Sequence, residues 1–435
     1  MMVKTIRERL SNNDTALAIW ASIAAFSTYF CMYAFRKPFT AGTFEGQTLW
    51  GLDLKIALVI AQVLGYMLSK FIGIKVVSEM LPQRRPLSIL VLIGFSWLAL
   101  LIFTVAPKEY KPFCLFMNGL PLGLIWGIVF SFLEGRRLTE LLGAGLAVSF
   151  IVSSGVVKSI GKWLMTTYGY TEFQMPFTVG AIFVVPLMVS VWMLTQMPPP
   201  SVSDQILRSE RKPMTAADRR GSFNRYAFGI VCLTAFYFVL TAFRDFRDNF
   251  IVEIWADLGY TDASVLTTTE VPIALSVLVL VAMLIFIKDN AIAFWLNHLL
   301  ILFGAVVVII SNYLYENDFI SAYTWMIMVG FGLYLSYILF QSLIFDRMIA
   351  TFKEVANAGF LMYVADAFGY LGSIGALLLK NFGGKGISYL DYFVVGGYVM
   401  AAACFVLVSA SYYYFFEKYE QQAGRGEEGR KTALT

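Results

Sequence analysis

The chain has 435 residues, 58% hydrophobic and only 14% charged, with a formal net charge of +4 and a mean hydropathy of +0.69. Soluble domains carry nearer a quarter charged residues, so the composition excludes a soluble globular protein and places the chain in lipid. Its apolar runs are continuous, exceed the roughly 20 residues a spanning helix needs and do not alternate, which excludes a transmembrane barrel.

The basic start "MMVKTIRERL" leads into an apolar run from Thr15 to Phe35. That run is too long for a signal-peptide core and lacks a small-residue cleavage site in a polar context, so it is read as an uncleaved first helix. Spans are predicted near 15–36, 53–78, 87–106, 112–134, 140–163 and 173–196, then near 226–255, 263–287, 291–313, 321–346, 352–380 and 388–416. The stretch "MPPPSVSDQILRSERKPMTAADRRGSFN" between them is polar and proline-broken, as a solvated linker is. The expected organisation is a six-helix bundle over 1–196, a linker over 197–224, a second bundle over 225–418 and a tail over 419–435. The fold class is all-α and integral to the membrane, with twelve spanning helices arranged as two pseudo-repeats.

Lysine and arginine set the orientation. One side carries Lys4, Arg7, Arg9, Arg84, Arg85, Arg136, Arg137, Arg347 and Lys353, joined by Arg208, Arg211, Lys212, Arg219 and Arg220 of the linker. The other carries Lys108, Lys111, Lys162, Lys380 and Lys385. Both termini and the linker are expected in the cytoplasm, with the chain in the inner (plasma) membrane.

The halves look like copies. "AFR" at Arg36 returns at Arg244, 208 positions later (244 − 36), and "KSIG" at 158–161 has a counterpart "GSIG" at 372–375. Duplicated bundles place a substrate site between them near the bilayer midplane.

An ionisable side chain within a span is costly and functional by default. Apolar sequence resumes after both arginines, as "PFTAGTF" and "FIVEIW", which sets them inside the membrane if the helices continue. The alternative is two helix ends snorkelling into headgroups. Facing each other across the repeat axis, two guanidinium forks would make a trap for phosphate or carboxylate. Asp248, one turn from Arg244, is a candidate to neutralise it. Lys70 and Lys158 also lie within spans, and matching depths pairs Lys70 with Asp366 and Lys158 with Glu270. Such pairs are poor stabilisers but good switches. Tyr334, Tyr337 and Gln341 share a face in the tenth span, where they line either the cavity or a packing seam. The lone histidine, His298, is expected to be a packed or interfacial polar residue. Gly119 and Gly123 in "NGLPLGLIW" favour close helix packing. The four cysteines sit in apolar segments without metal or disulfide spacing.

Several stretches resemble the organophosphate:phosphate antiporters of the major facilitator superfamily, which include glycerol-3-phosphate and hexose-phosphate transporters. "AGFLMYVADAFGYLG" is similar to that family's AGF…GYLG segment, "GYMLSKF" to its Y-G-x-S-K-F, "YAFRKPF" to its Y-x-x-R-K-N-F and "GLPLGLIWG" to its G-x-x-x-G-x-x-W. The resemblance implies that Arg36 and Arg244 bind phosphate, with Lys70 as an auxiliary cation and Glu270 as a gating carboxylate. Three features depart from the family. "GLAVSFIVSSG" has Ser154 where the family has a histidine, with Lys158 one turn further on. The acidic–basic loop motif is degenerate in "GIKVVSEMLPQRRP". The cluster Arg244, Asp245, Arg247 and Asp248 is more charged than the family pattern.

The expected function is secondary transport of a small organic anion, in the form of organophosphate/phosphate exchange, by alternating access. Arg36 and Arg244 bind the anion, and Lys70 and Lys158 switch between carboxylate and substrate. Two alternatives are proton-coupled symport, with Asp366 or Glu270 carrying the proton, and a transport-dead anion sensor. No HExxH or GxSxG motif supports an enzyme. The expected partners are a small anionic solute and the bilayer, for a monomer with no cofactor, metal or nucleic acid.

Overall fold

A computed structural model describes residues 2–11, 13–133, 139–199, 216–352, 358–383 and 386–432. A short helix, Met2–Ser11, precedes the first six long helices: α1 (Asp14–Tyr33), α2 (Leu54–Ser78), α3 (Arg85–Val105), α4 (Lys111–Leu133), α5 (Thr139–Tyr168) and α6 (Met175–Thr195). The second six are α7 (Ala216–Asp257), α8 (Glu270–Ile285, led in by the turn Val265–Thr268), α9 (Asn290–Glu316), α10 (Ala322–Leu339), α11 (Ala358–Phe382) and α12 (Tyr389–Thr432). Eleven of the long segments are apolar enough to cross a membrane, and α11, 25 residues long with Asp366 and Lys380 inside it, is the twelfth. The all-α, twelve-helix architecture is therefore present. Even parity puts both chain ends on one face, the terminal face; the other is called the far face.

Hydrophobic patterning decides which helices meet lipid. On α3 the exposed residues Leu87, Val91, Phe95, Leu98, Ile102 and Val105 recur every three or four positions, a lipid-facing stripe. Inside the first bundle, α2 and α4 approach closely. A Cβ at Gly119 would overlap the Gln62 carbonyl oxygen, and one at Gly65 that of Phe116. In the second bundle Gly304 and Gly332 bring α9 and α10 together in the same manner. The bundles meet through α2 against α11, α5 against α8, and the turn after α1 against α7.

The first span differs from the expected 15–36. Helix α1 stops at Tyr33, and Pro38, which supplies no N–H, sits where a donor is not needed, at the first position of the 3-10 segment that follows. Residues 34–42 stay buried as a turn and the 3-10 segment Pro38–Ala41. Irregular backbone at this depth requires protein partners. Gln62 Nε2 donates to the Arg36 carbonyl at 2.9 Å, Asn118 Nδ2 to that of Phe35 at 2.9 Å, and Lys55 Nζ to that of Thr40 at 2.8 Å. Arg36 is thus buried on a turn folded into the protein.

Helix α7 leaves helical geometry at Tyr226 and at Phe250. Residues 216–224 of the expected linker are helical and lead into the span, and the expected tail continues α12 to Thr432. Linker residues 200–215 and the cations Arg136, Arg137, Arg208, Arg211, Lys212, Lys353 and Lys385 lie outside the described residues. In α10, regular geometry ends at Leu339 in the wide turn Phe340–Ile344. Such a turn shifts the helical register of the residues beyond it, and Gln341 lies at its start. The two tyrosines are buried and Gln341 is half-buried.

Candidate functional site

Charged residues from several spans converge on the interface between the bundles, and both arginines are buried in the protein. Arg36 and Arg244 are each 8% exposed. The Arg36 guanidinium lies 3.8 Å from the centroid of Tyr66 and 5.7 Å from that of Tyr33. Arg244 lies 4.1 Å from Tyr337 and 5.6 Å from Phe150. Tyr33 and Phe150 stack on each other at 6.4 Å, so two rings bridge the arginines.

A second path joins them on the opposite side. Tyr337 stacks on Tyr237, whose hydroxyl donates to Asp366 Oδ1 at 2.8 Å. Asp366 Oδ2 lies 3.7 Å from Lys70 Nζ, and Lys70 sits 5.5 Å from the Tyr66 ring, which returns to Arg36. The result is a closed ring of contacts contributed by α1 and its following turn, α2, α5, α7, α10 and α11. Among its members, Arg244 has a carboxylate in the neighbouring Asp245, which also accepts from Ser373 Oγ at 2.6 Å. Among the described residues, no carboxylate lies within ion-pair distance of Arg36, and its buried Nε has no hydrogen-bond partner. A guanidinium held flat against an aromatic face, with donors to spare, can take a carboxylate or phosphate oxygen pair.

The far side of this ring is cross-linked between bundles. Asp248 on α7 accepts from Lys158 Nζ at 2.7 Å and from the Ser154 hydroxyl, while its other oxygen pairs with Lys37. Lys37 also donates to Asn249 Oδ1 at 2.8 Å. Lys55 pairs with Glu253, Ser159 Oγ lies 2.7 Å from the Thr267 hydroxyl, and the Asp53 N–H donates to Asn381 Oδ1 at 2.9 Å.

The pair expected from depth, Lys70 with Asp366, is present. The expected Lys158–Glu270 pair is not formed: Glu270 takes Arg247 of its own bundle at 2.8 Å. Depth along a helix leaves rotation open. Ser154 and Lys158 lie one turn apart and meet α7, whereas Gly155, rotated by one residue, abuts Leu266 and Glu270. For the same reason Asp248 does not neutralise Arg244; Asp245 does. Sequence reasoning missed Lys37, Lys55, Glu253, the ring tyrosines Tyr33, Tyr66 and Tyr237, and Tyr370, which packs on Tyr66. A usable signal was Tyr66 four residues before Lys70 and Tyr370 four after Asp366, one helical turn each; those two rings lie 5.6 Å apart. His298 is a packed polar residue, its Nδ1 3.0 Å from the Phe294 carbonyl and Nε2 3.4 Å from Ser411.

A crystal structure of a D-xylose-proton symporter is similar in fold, with a TM-score of 0.59 at 12% identity, covering 90% of this chain and 97% of that one. The fold is that of the major facilitator superfamily, and the chain is a multi-pass membrane protein. No curated protein matches the sequence. Residues 38–418 match DUF5690, a family of unknown function, and the chain belongs to that family.

Proposed function

We propose that the chain is a secondary transporter of a small organic anion that works by alternating access between its two bundles. The observation that carries the reading is Arg36: buried, stacked on Tyr66 and without a carboxylate among the described residues. An uncompensated buried cation is expensive, and an incoming anion supplies the missing charge. Arg244 forms the other wall of the same ring. The far-face links through Asp248 and Glu253 are the gate that must part for the site to open there. The anion favours closure because it removes the repulsion that keeps an empty cationic site from closing, so exchange fits better than uniport. The likeness to a symporter in fold and the short motifs shared with organophosphate:phosphate antiporters support a carrier, working as a monomer in an inner membrane with both termini cytoplasmic. No catalytic step is assigned.

A thermal-shift screen of the purified protein against inorganic phosphate, phosphomonoesters and carboxylates tests the reading, since ligands of the native state raise its melting temperature. At least one anion should stabilise the wild type and leave Arg36→Gln unmoved. A flat screen, or equal shifts in both proteins, counts against it.

Proton-coupled symport is a second reading. Asp366 favours it: the carboxylate holds a hydroxyl donor from Tyr237 but meets Lys70 at 3.7 Å, beyond a direct hydrogen bond.

A further inference from the structure

We infer that the anion has a second binding station at Arg247, one helical turn nearer the far face than Arg244, which receives its phosphate or carboxylate group while the far-face gate is open. The inference deepens the anion-carrier reading and rests on it. Arg244 and Arg247 lie three residues apart on α7, and Tyr334 and Tyr337 lie three apart on α10. The two helices run in opposite directions, so the residues match in pairs. Arg244 lies 4.1 Å from the Tyr337 ring, and Arg247 lies 5.6 Å from that of Tyr334. Phe150 on α5 touches both rings edge-on, Tyr337 at 5.8 Å and Tyr334 at 5.7 Å. Asp245 pairs with Arg244, and Glu270 pairs with Arg247. The chemistry that Arg244 offers an anion is thus repeated about 4.5 Å further along the helix axis.

Arg247 is fully buried. Its Nη2 reaches Glu270 at 2.8 Å and the Met326 carbonyl at 3.4 Å, but its Nε and Nη1 have no hydrogen-bond partner among the described residues. Asp248, the next residue, turns away to Lys37 and Lys158. A buried ion pair adds little stability over an apolar pair of the same volume, and unused buried donors add a cost. Those donors point to a ligand. Helix α5 covers the pair: Gly155 packs on the Glu270 side chain and the Leu266 carbonyl, and Ser159 meets Thr267. Parting the bundles at the far face withdraws α5 from α8 and uncovers Arg247. It also frees Lys37 and Lys158 from Asp248, so an entering anion meets ammonium groups on one wall and the Arg247 fork on the other. Closure brings α5 back over the pair, and the anion moves one turn along α7 to Arg244 and the ring.

The test uses the full-length protein with inorganic phosphate, glycerol 3-phosphate and gluconate as probes. Thermal shift reads binding at the ring, and counterflow in proteoliposomes reads passage. Arg247→Met combined with Glu270→Leu replaces the pair by an apolar contact, which a merely structural pair tolerates. This double variant should keep the wild-type melting temperature and the wild-type shift with the tightest probe, while its counterflow falls at least about tenfold. Glu270→Gln, which keeps Arg247 and releases its fork, should lower the half-saturating concentration at least about threefold. That variant decides alone if the double variant does not fold. Counterflow at the wild-type rate in the double variant, or an unchanged half-saturation in Glu270→Gln, makes the pair structural and leaves the carrier standing. Loss of the thermal shift together with counterflow, at an unchanged melting temperature, makes Arg247 a support of the ring and overturns a separate station. A wild type that neither binds nor moves any of the three probes overturns the carrier reading and this inference with it.

Discussion

Lys158 donates to Asp248 at 2.7 Å across the interface between the bundles, and Lys37 holds the other oxygen of the same carboxylate. One anion therefore restrains two ammonium groups on two different elements of the first bundle. Removing one partner of a buried ionic cluster typically costs about 3–5 kcal/mol, because the remaining charges stay buried. Asp248→Asn should lower the melting temperature and loosen the far face. Spin labels at Trp50 and Phe319, both 70% exposed, should report longer distances in this variant. Removing one ammonium as well, with Lys158→Met, should recover part of the stability. A variant as stable as wild type with unchanged distances would show that Asp248 is no latch.

Glycine contacts separate folding from switching. Gly119 packs α4 onto α2 within one bundle, whereas Gly155 packs α5 onto α8 between bundles, with the Leu266 carbonyl oxygen and the Glu270 side chain where a Cβ would go. Packed interfaces are bistable and tolerate little added volume. Gly119→Val should cost stability, on the order of 1–3 kcal/mol, without moving the Trp50–Phe319 distance. Gly155→Val should shift that distance toward the open far face at a smaller cost in melting temperature. The opposite assignment of effects would refute the division.

Tyr66 acts on Arg36 through its ring face at 3.8 Å. A desolvated cation–π contact contributes about 0.5–2 kcal/mol. Tyr66→Leu should weaken anion binding by roughly 2- to 30-fold, while Tyr66→Phe keeps most of the affinity. Isothermal titration distinguishes the two; a larger loss in the Phe variant would transfer the role to the hydroxyl.

Protonophore sensitivity tests the coupling, and Asp366 is the residue to vary. For exchange, uptake into preloaded vesicles should persist in the presence of a protonophore, and Asp366→Asn should lower its rate without conferring protonophore sensitivity. Abolition of wild-type uptake by the protonophore would instead assign Asp366 or Glu270 a proton-carrying role and favour symport.

The architecture was legible because lipid imposes continuous apolar runs, and the charges inside those runs stood out for the same reason. Pairing was legible only where depth sufficed, as for Lys70 and Asp366. It failed for Lys158, whose partner depended on the rotation of α5, and for Asp248, which turns away from its helical neighbour Arg244 toward the first bundle. Lys37 and Lys55 were hidden by their positions near the ends of spans, where a cation ordinarily snorkels. The buried turn after α1 could not be foreseen from hydropathy, because an apolar stretch satisfied by Gln62 and Asn118 amides resembles a continuing helix. The ring tyrosines were lost among 23 tyrosines and 38 phenylalanines, most of which a membrane protein uses for packing and interfaces.

Counterflow in proteoliposomes tests the central claim most directly. With the anion that most raises the melting temperature as labelled solute, wild type should accumulate it against an unlabelled internal pool. Arg36→Lys and Arg244→Lys, reconstituted at equal density, should retain no more than about a tenth of that uptake, because an ammonium cannot reproduce a stacked, forked guanidinium. Full accumulation by the Arg36 variant would contradict the account.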